Sequence, residues 1–374
     1  MKIKCEKSNF LHGLQAVSKA VSAKNTIYAL SGILLTATEN ELIFRATDIE
    51  IAIEYREKDV TVLETGSLIV PGRYILDISK KLPDETLELA SEAYTFFIRY
   101  GKSEITVNGM DKDEFPDFPT VEGDVKGSFL LNRFKHDVRE VAVAASSDES
   151  RPLFTGVLFE ITGENINFVA TDTHRLAMKK SSWISQGNQG QAAVIVPNKI
   201  LQEIIRLEAS EEDSQMEIVV GEKEISFHFA NTLLISRLIE GKFPNYHQVI
   251  PAEEKVKSVA EVDAGFLLST LERAFILSRE LVKEHIGRVS IALTNEVLIV
   301  DSRSPEMGHI HEEIPVIQQG EDISLIFNAR YLLDILRVID SSFISMRFTG
   351  ENTPLLLGRK DDDSYVYLAL PLKG

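Results

Sequence analysis

The sequence predicts an α+β chain of three repeated domains, each with two helices packed on antiparallel sheets. Three observations predict it. A set of landmarks recurs three times in one order, the runs between them alternate apolar and polar residues, and an amphipathic helical stretch opens every copy. The landmarks keep a nearly constant spacing: Gly32 and Gly156 lie 124 residues apart, Gly156 and Gly287 lie 131 apart, and Asp48 and Asp172 again 124 apart. The expected domains are residues 1–124, 125–253 and 254–374, joined near Val121-Glu-Gly-Asp and Pro251-Ala-Glu-Glu.

Each copy begins with a helix signature: Asn9-Phe-Leu-His-Gly-Leu, then Ser128-Phe-Leu-Leu-Asn-Arg-Phe, then Gly265-Phe-Leu-Leu-Ser-Thr-Leu. In the second, Phe129, Phe134, Val138 and Val141 are spaced to share one helical face. A hairpin-like pair follows. Its first strand is Ser31-Gly-Ile-Leu-Leu-Thr, Thr155-Gly-Val-Leu-Phe-Glu or Ile286-Gly-Arg-Val-Ser-Ile, and in the first two copies its second strand ends in Ala-Thr-Asp, at Asp48 and Asp172. The alternation around Glu-Asn and Thr-Asn turns is that of half-buried antiparallel strands. A strand entering a helix comes next: Leu68-Ile-Val-Pro-Gly-Arg, Val194-Ile-Val-Pro-Asn-Lys and Leu325-Ile-Phe-Asn-Ala-Arg. Pro71 and Pro197 stand at the junction, where a missing backbone donor does no harm. Further strands close each copy, and the first two end in Phe115-Pro-Asp-Phe and Phe243-Pro-Asn-Tyr.

Composition bounds the function. The 374 residues suit two or three domains, and no window approaches a membrane-spanning run of apolar residues. The single Cys5 can form no internal disulfide and no thiolate metal site, which fits a reducing, cytoplasmic setting. The formal charge of -17 argues against a protein that grips nucleic acid with its whole surface. That charge is segregated. The six predicted helical stretches, residues 7–24, 72–81, 129–145, 198–207, 265–285 and 328–339, carry a net +8, which leaves -25 for the rest.

Arg151-Pro-Leu-Phe-Thr-Gly-Val-Leu-Phe-Glu, Ala170-Thr-Asp-Thr-His-Arg-Leu-Ala and Gly241-Lys-Phe-Pro-Asn-Tyr, in this order within a threefold repeat, resemble the bacterial sliding-clamp family, the beta subunits of DNA polymerase III. The resemblance covers the whole chain. It implies the DNA clamp fold, with helices inside and sheets outside, and a homodimer closed head to tail into a ring around double-stranded DNA. It also implies a processivity factor with no catalytic site, metal or cofactor of its own. Cationic helices facing the hole and an acidic exterior would resolve the charge paradox, because enclosure becomes the productive mode of binding. By position, Lys24, Arg73, Arg151 and Lys199 would face DNA. No base-reading motif is present, and sliding requires none.

The same resemblance implies a pocket for a short apolar peptide. Its partners would be the polymerase III alpha subunit, the clamp-loader delta subunit, other polymerases and repair proteins. The matching residues are Phe154, Thr171, Thr173, His174, Arg175, Leu176, Pro244, Gln248 and Val249, joined by Asn328, Tyr331 and the tail residues Leu368, Leu370, Pro371 and Leu372. Leucines and Val249 would bury the partner's leucine and phenylalanine, while His174, Arg175 and Asn328 would hydrogen-bond its backbone or glutamine. For the ring junction the implied residues are Arg99, Lys102, Ile105 and Val107 on one side, and Ile276, Leu277, Glu306, Glu312 and Glu313 on the other.

A competing reading is a metal-dependent hydrolase using Asp172, His174 and His309 or His311. On a strand, Asp172 and His174 would share one face and Arg175 the other, so no acid–base pair with Arg175 is expected. The first repeat keeps Thr47-Asp48 but continues Ile-Glu-Ile-Ala where the second has Thr-His-Arg-Leu. Thr-Asp therefore reads as scaffold, and His-Arg-Leu as what the middle repeat adds. Two decoys complete the reading: Arg99-Tyr-Gly-Lys-Ser103 lacks the glycine a phosphate-binding loop needs, and Lys360-Asp-Asp-Asp is a hairpin tip.

Overall fold

A computed structural model describes residues 1–22, 27–186, 190–207, 214–278, 287–304 and 307–372. The first repeat runs β1 (Lys2–Glu6), α1 (Lys7–Val17), β2 (Gly32–Ala37), β3 (Leu42–Thr47), β4 (Ile51–Glu57) and β5 (Val60–Glu64). It continues β6 (Gly66–Pro71), α2 (Gly72–Ser79), β7 (Thr86–Glu92), β8 (Thr95–Tyr100) and β9 (Ser103–Asn108). The second runs β10 (Val125–Leu130), α3 (Leu131–Ala142), β11 (Gly156–Thr162), β12 (Asn165–Thr171), β13 (Arg175–Ser182) and β14 (Ile184–Gln186). It continues β15 (Gln191–Pro197), α4 (Asn198–Arg206), β16 (Gln215–Val220), β17 (Glu224–Phe229) and β18 (Thr232–Arg237). The third runs β19 (Ser258–Asp263), α5 (Ala264–Ser278), β20 (Arg288–Thr294), β21 (Val297–Ser304), β22 (Gly308–Pro315) and β23 (Ile317–Gly320). It ends with β24 (Ile323–Asn328), α6 (Ala329–Leu336), β25 (Phe343–Phe348), β26 (Leu355–Arg359) and β27 (Asp362–Ala369). Among the described residues, the order of strands and helices is the same in all three.

These elements form two compact units. One comprises Met1–Asn132, Ile184–Gly190 and Leu207–Leu238, and the other Arg133–Trp183, Gln191–Arg206 and Ile239–Gly374. The first unit holds a sheet ordered β5-β1-β7-β8-β9 and a nine-stranded sheet ordered β14-β10-β16-β17-β18-β4-β3-β2-β6. The second holds a nine-stranded sheet ordered β15-β11-β12-β13-β27-β26-β25-β19-β23 and a sheet ordered β22-β21-β20-β24. Each nine-stranded sheet thus joins two successive repeats. The seam of the first is β18 against β4, from Thr232 opposite Tyr55 to Ser236 opposite Ile51. The seam of the second is β27 against β13, from Tyr365 opposite Lys179 to Ala369 opposite Arg175.

The helices form because their apolar residues line one face, and that face is buried. In α1 the buried residues are Phe10, Gly13, Leu14 and Val17; in α4 they are Ile200, Leu201 and Ile204. Gly13 has to be glycine, since a Cβ there would meet the Phe44 ring at 2.4 Å. In the second unit Phe134 of α3 meets Phe159 and Phe168 edge-on, at ring separations of 6.1 and 5.8 Å. Each such ring contributes roughly 1.5–3 kcal/mol by burial. One expectation is corrected here. Ser128 to Leu130 belong to β10, paired with β16, so Phe129 is a buried strand residue and the helical face begins at Leu131. The hairpin tip expected at Lys360 lies between β26 and β27. No helix among the described residues is long and apolar enough to cross a membrane.

Candidate functional site

The stretch Thr171 to Arg175 is a tight turn joining β12 to β13, held by its own side chains. The Thr171 hydroxyl donates to the Arg175 carbonyl at 2.6 Å and accepts from the Thr173 N–H at 3.1 Å. The Asp172 carboxylate accepts from the His174 and Arg175 N–H groups at 2.9 and 3.0 Å. This wiring holds Thr173 at φ 79°, a left-handed conformation costly for a β-branched residue. Because the chain turns here rather than continuing as a strand, Asp172 and Arg175 do meet. Arg175 Nε donates to Asp172 at 3.0 Å, which corrects the expectation that they would lie on opposite faces.

Arg175 is buried and heavily engaged. Its Nη1 donates to Asp334 of α6 at 2.5 Å, and its guanidinium lies 4.7 Å above the Tyr331 ring. Burial works against its charge, but Tyr367, Asp334 and Asp172 outweigh that and raise its pKa above the ordinary arginine value. The imidazole of His174 stacks on the other partner of this group, Tyr331, at 6.4 Å and 18°. Beyond the turn, Leu370 donates its N–H to the His174 carbonyl at 2.9 Å, and Leu372 to Ile326 at 2.7 Å, which fastens the tail beside the turn.

These elements enclose a cavity of about 160 Å³, open on one side. Its wall is Thr171, Thr173, His174, Arg175 and Leu176; Phe154, Pro244 and Val249 come from the loops, and Leu368 and Leu370 from the β27 end. Tyr246 completes the lining, and the cluster beneath it contains Leu158, Val169, Met178, Ile195 and Phe243. Ten of the predicted pocket residues therefore converge. The others lie beside the cavity without lining it. Gln248 is exposed, Asn328 is buried with its side chain capping α6 through the Arg330 N–H, and Tyr331 packs under Arg175. Pro371 and Leu372 are half-buried in the tail.

Sequence reasoning missed three residues. Tyr246 lines the pocket and donates its hydroxyl to Glu160 at 2.6 Å. The signal was present in Phe243-Pro-Asn-Tyr, the repeat of Phe115-Pro-Asp-Phe, where Phe118 stands in place of Tyr246. Asp334 gave no signal, because it lies 159 residues from the arginine it meets. Glu160 is held below the ordinary carboxylate pKa: burial alone would raise it, but hydrogen bonds from Tyr246 and Asn167 reverse that.

The expected DNA-facing residues are Arg73, exposed on α2; Lys199, exposed on α4; and Arg151, exposed and 3.4 Å from Asp148. Lys24 lies outside the described residues, as does Glu306. Of the expected junction residues, Ile105 and Val107 are half-buried on the edge strand β9, opposite the buried Ile98 and Phe96. Arg99 pairs with Glu104 at 2.6 Å and Glu88 at 3.5 Å, and Lys102 is exposed at the β8–β9 turn. In the second unit Ile276 is 71% exposed and Leu277 half-buried on α5. Glu312 of the edge strand β22 accepts from Arg273 and Thr270, and exposed Glu313 lies 3.5 Å from His311.

The hydrolase reading fails on this geometry. Asp172 is consumed by its turn and by Arg175, and His311 by Asp301 at 2.9 Å and by Glu313, while His309 sits 6.4 Å from His311 ring to ring. Among the described residues, the metal-ligating side chains that do converge are His136, Asp137 and Glu140. Their carboxylates already serve Ser181 at 2.6 Å, Arg359, and Lys179 at 3.5 Å.

Comparison with known proteins agrees with this architecture. Family models of the DNA polymerase III beta subunit match in three consecutive parts: the N-terminal domain over residues 1–119, the central domain over 130–245 and the C-terminal domain over 247–373. A beta sliding clamp of Staphylococcus epidermidis is 32% identical over all of this chain and 99% of its own length. One of Bacillus subtilis is 32% identical over the whole of both. The crystal structure of a Bacillus subtilis DNA polymerase sliding clamp superposes with a TM-score of 0.94 at 30% identity, covering 100% of this chain and 99% of that one. A Pseudomonas aeruginosa DNA polymerase III beta subunit follows at 0.92 and 28%, with full coverage of both chains. The threefold repeat, the Thr-Asp-Thr-His-Arg-Leu-Ala turn and these matches lead to one conclusion: the chain belongs to the bacterial DNA polymerase III beta-subunit family, the beta sliding clamps, non-catalytic subunits of the polymerase holoenzyme.

Proposed function

We propose that two copies of this chain close head to tail into a ring that encircles duplex DNA without sequence preference, and that the ring tethers partners through the apolar pocket. The observation that carries the ring is the pattern of seams. Within the units, β18 of the second repeat joins β4 of the first, and β27 of the third joins β13 of the second. In the repeat order β9 corresponds to β18 and β27, and β22 corresponds to β4 and β13. Of these six corresponding strands, β9 and β22 are the two that lie at a sheet edge, β9 in one unit and β22 in the other. An unpaired edge strand is a template for pairing, and β9 on β22 of a second copy repeats the seam already made twice. Ile105 and Val107 would then meet Ile276 and Leu277, with Lys102 and Arg99 opposite the acids of β22.

Three repeats bounded at residues 124 and 253 carry six α-helices among the described residues, so two copies would bring twelve to the ring. Arg73, Arg151, Lys24 and Lys199 would face the phosphates as sequence-blind charges. Partners, including the polymerase alpha subunit and the clamp-loader delta subunit, would insert a leucine and a phenylalanine into the pocket. Two or three such anchors, each worth roughly 1.5–3 kcal/mol before binding costs, give a grip weak enough to exchange.

The test is topological. Loaded by a clamp loader with ATP onto nicked circular DNA, the protein should be retained, and it should be released when the circle is linearised. Equal retention on both forms would mean the protein sticks to DNA rather than threading it. Lys102→Glu should weaken the dimer in ultracentrifugation, and an unaltered dimer would remove the junction assignment.

A further inference from the structure

The pocket rim depends on a charge that does not touch the cavity. Tyr331 and Asp334 lie three residues apart on α6, so that helix presents both to the same side. Both meet Arg175: the ring lies under its guanidinium at 4.7 Å, and the carboxylate accepts from Nη1 at 2.5 Å. Asp172 accepts from Nε and, through its other oxygen, from the two backbone N–H groups that shape the His174 wall. Two carboxylates and one ring thus fix the guanidinium in its plane and over its face. A buried arginine so engaged is poorly placed to donate to an incoming peptide; its charge is costly to leave unpaired, and its fork geometry sets direction as well as energy.

The geometry points to Asp334 as a positioning residue of the peptide pocket, holding Arg175 against Tyr331 so that Thr173 and His174 keep the shape a partner's apolar side chains require. This assignment rests on the peptide-pocket reading above. It gives Arg175 the task of bracing the wall in place of hydrogen-bonding the partner. Without the Asp334 carboxylate, Arg175 retains a single acidic partner on the turn itself. Its guanidinium is then free to swing from Tyr331, and the His174–Tyr331 stack loses its support. A site whose supporting contacts loosen loses affinity without losing its lining.

The experiment uses the full-length protein and a fluorescein-labelled peptide carrying one glutamine, one leucine and a leucine–phenylalanine pair, read by fluorescence polarisation. Asp334→Asn should weaken binding by about fivefold or more when read well below the variant's own melting temperature, and Asp334→Glu should recover part of it, with the dimer unchanged. In an Arg175→Lys background Asp334→Asn should add little, because both changes break the same brace. If Asp334→Asn does not fold, Asp334→Glu, which keeps the charge and shifts it by one methylene, should still bind more weakly than the native protein. Native-like binding by the folded Asp334 variants, or full additivity with Arg175→Lys, would overturn the assignment. Failure of the unaltered protein to bind the peptide would instead overturn the pocket reading on which it stands.

Discussion

The turn at Thr47–Ile51 and the turn at Thr171–Arg175 share one backbone and differ in what they carry. Thr47 donates to the Ile51 carbonyl at 2.9 Å and accepts from the Ile49 N–H at 3.1 Å, as Thr171 does with Arg175 and Thr173. Asp48 accepts from the Glu50 and Ile51 N–H groups at 3.1 and 2.8 Å, as Asp172 does two and three residues on. Ile49 takes φ 81° and Thr173 φ 79°. Even the neighbouring strand docks alike: Arg237 donates its N–H to the Glu50 carbonyl at 3.0 Å where Leu370 donates to His174. In the first unit the two docked residues form an ion pair, Glu50 to Arg237 at 3.6 Å, and Arg45 covers Phe118 at 5.1 Å. In the second, leucine, histidine and tyrosine at the matching places leave an apolar cavity. The Thr-Asp scaffold builds a corner, and the residues after it decide whether that corner is charged or receptive.

The comparison can be broken most sharply by exchange. Leu370→Arg, which installs the first unit's residue in the second, should weaken peptide capture by about thirtyfold, the equivalent of some 2 kcal/mol of lost apolar burial. Polarisation with the labelled peptide reads this, and unchanged affinity would remove Leu370 from the pocket. The next effect is on stability. Asp172→Ala removes the acceptor of two backbone N–H groups and a partner of buried Arg175, about 3 kcal/mol, whereas Asp48→Ala, where Ile51 stands in the place of Arg175, should cost less, about 1–2 kcal/mol. Chemical denaturation followed by hydrogen exchange in each turn separates them, and equal losses would show that Arg175 gains nothing from Asp172.

A smaller effect depends on pH. The lowered Glu160 pKa means its bond to Tyr246 contributes fully above the unfolded carboxylate value of about 4.3 and fades as pH falls through the folded value. Tyr246→Phe, which copies Phe118, should cost about 1 kcal/mol at pH 7 and progressively less toward pH 3. A cost independent of pH would show that Glu160 is not the partner that matters. Smallest of all, Arg237→Gln should change stability by well under 1 kcal/mol and only at low salt, since the Glu50 pair is exposed.

Much of this was legible in the sequence because it is local or periodic. The four landmarks recur at fixed spacing, so the order of elements in each repeat follows from alternation, amphipathicity and the two junction prolines. Thr-Asp as scaffold followed from its presence in two repeats with different sequels. What could not be read was long-range or conformational. Nothing in Asp334 marks it as the partner of Arg175, and a positive φ at Thr173, which turns Asp172 toward Arg175, has no signature in a threonine. Phe129 misled because strand and helix periods overlap over the few residues where β10 passes into α3. Nor does spacing along the chain disclose that the two nine-stranded sheets are each assembled across successive repeats.

That last arrangement limits how such a chain can be cut. A fragment ending at residue 124 would carry β4 bare on the side where β18 belongs, and one starting at 254 would carry β27 without β13. Neither outer third is a self-sufficient bead, and the middle third is interleaved with both. A lineage that added or removed a repeat would have to supply or discard a strand at each seam it opened, β4 against β18 or β13 against β27.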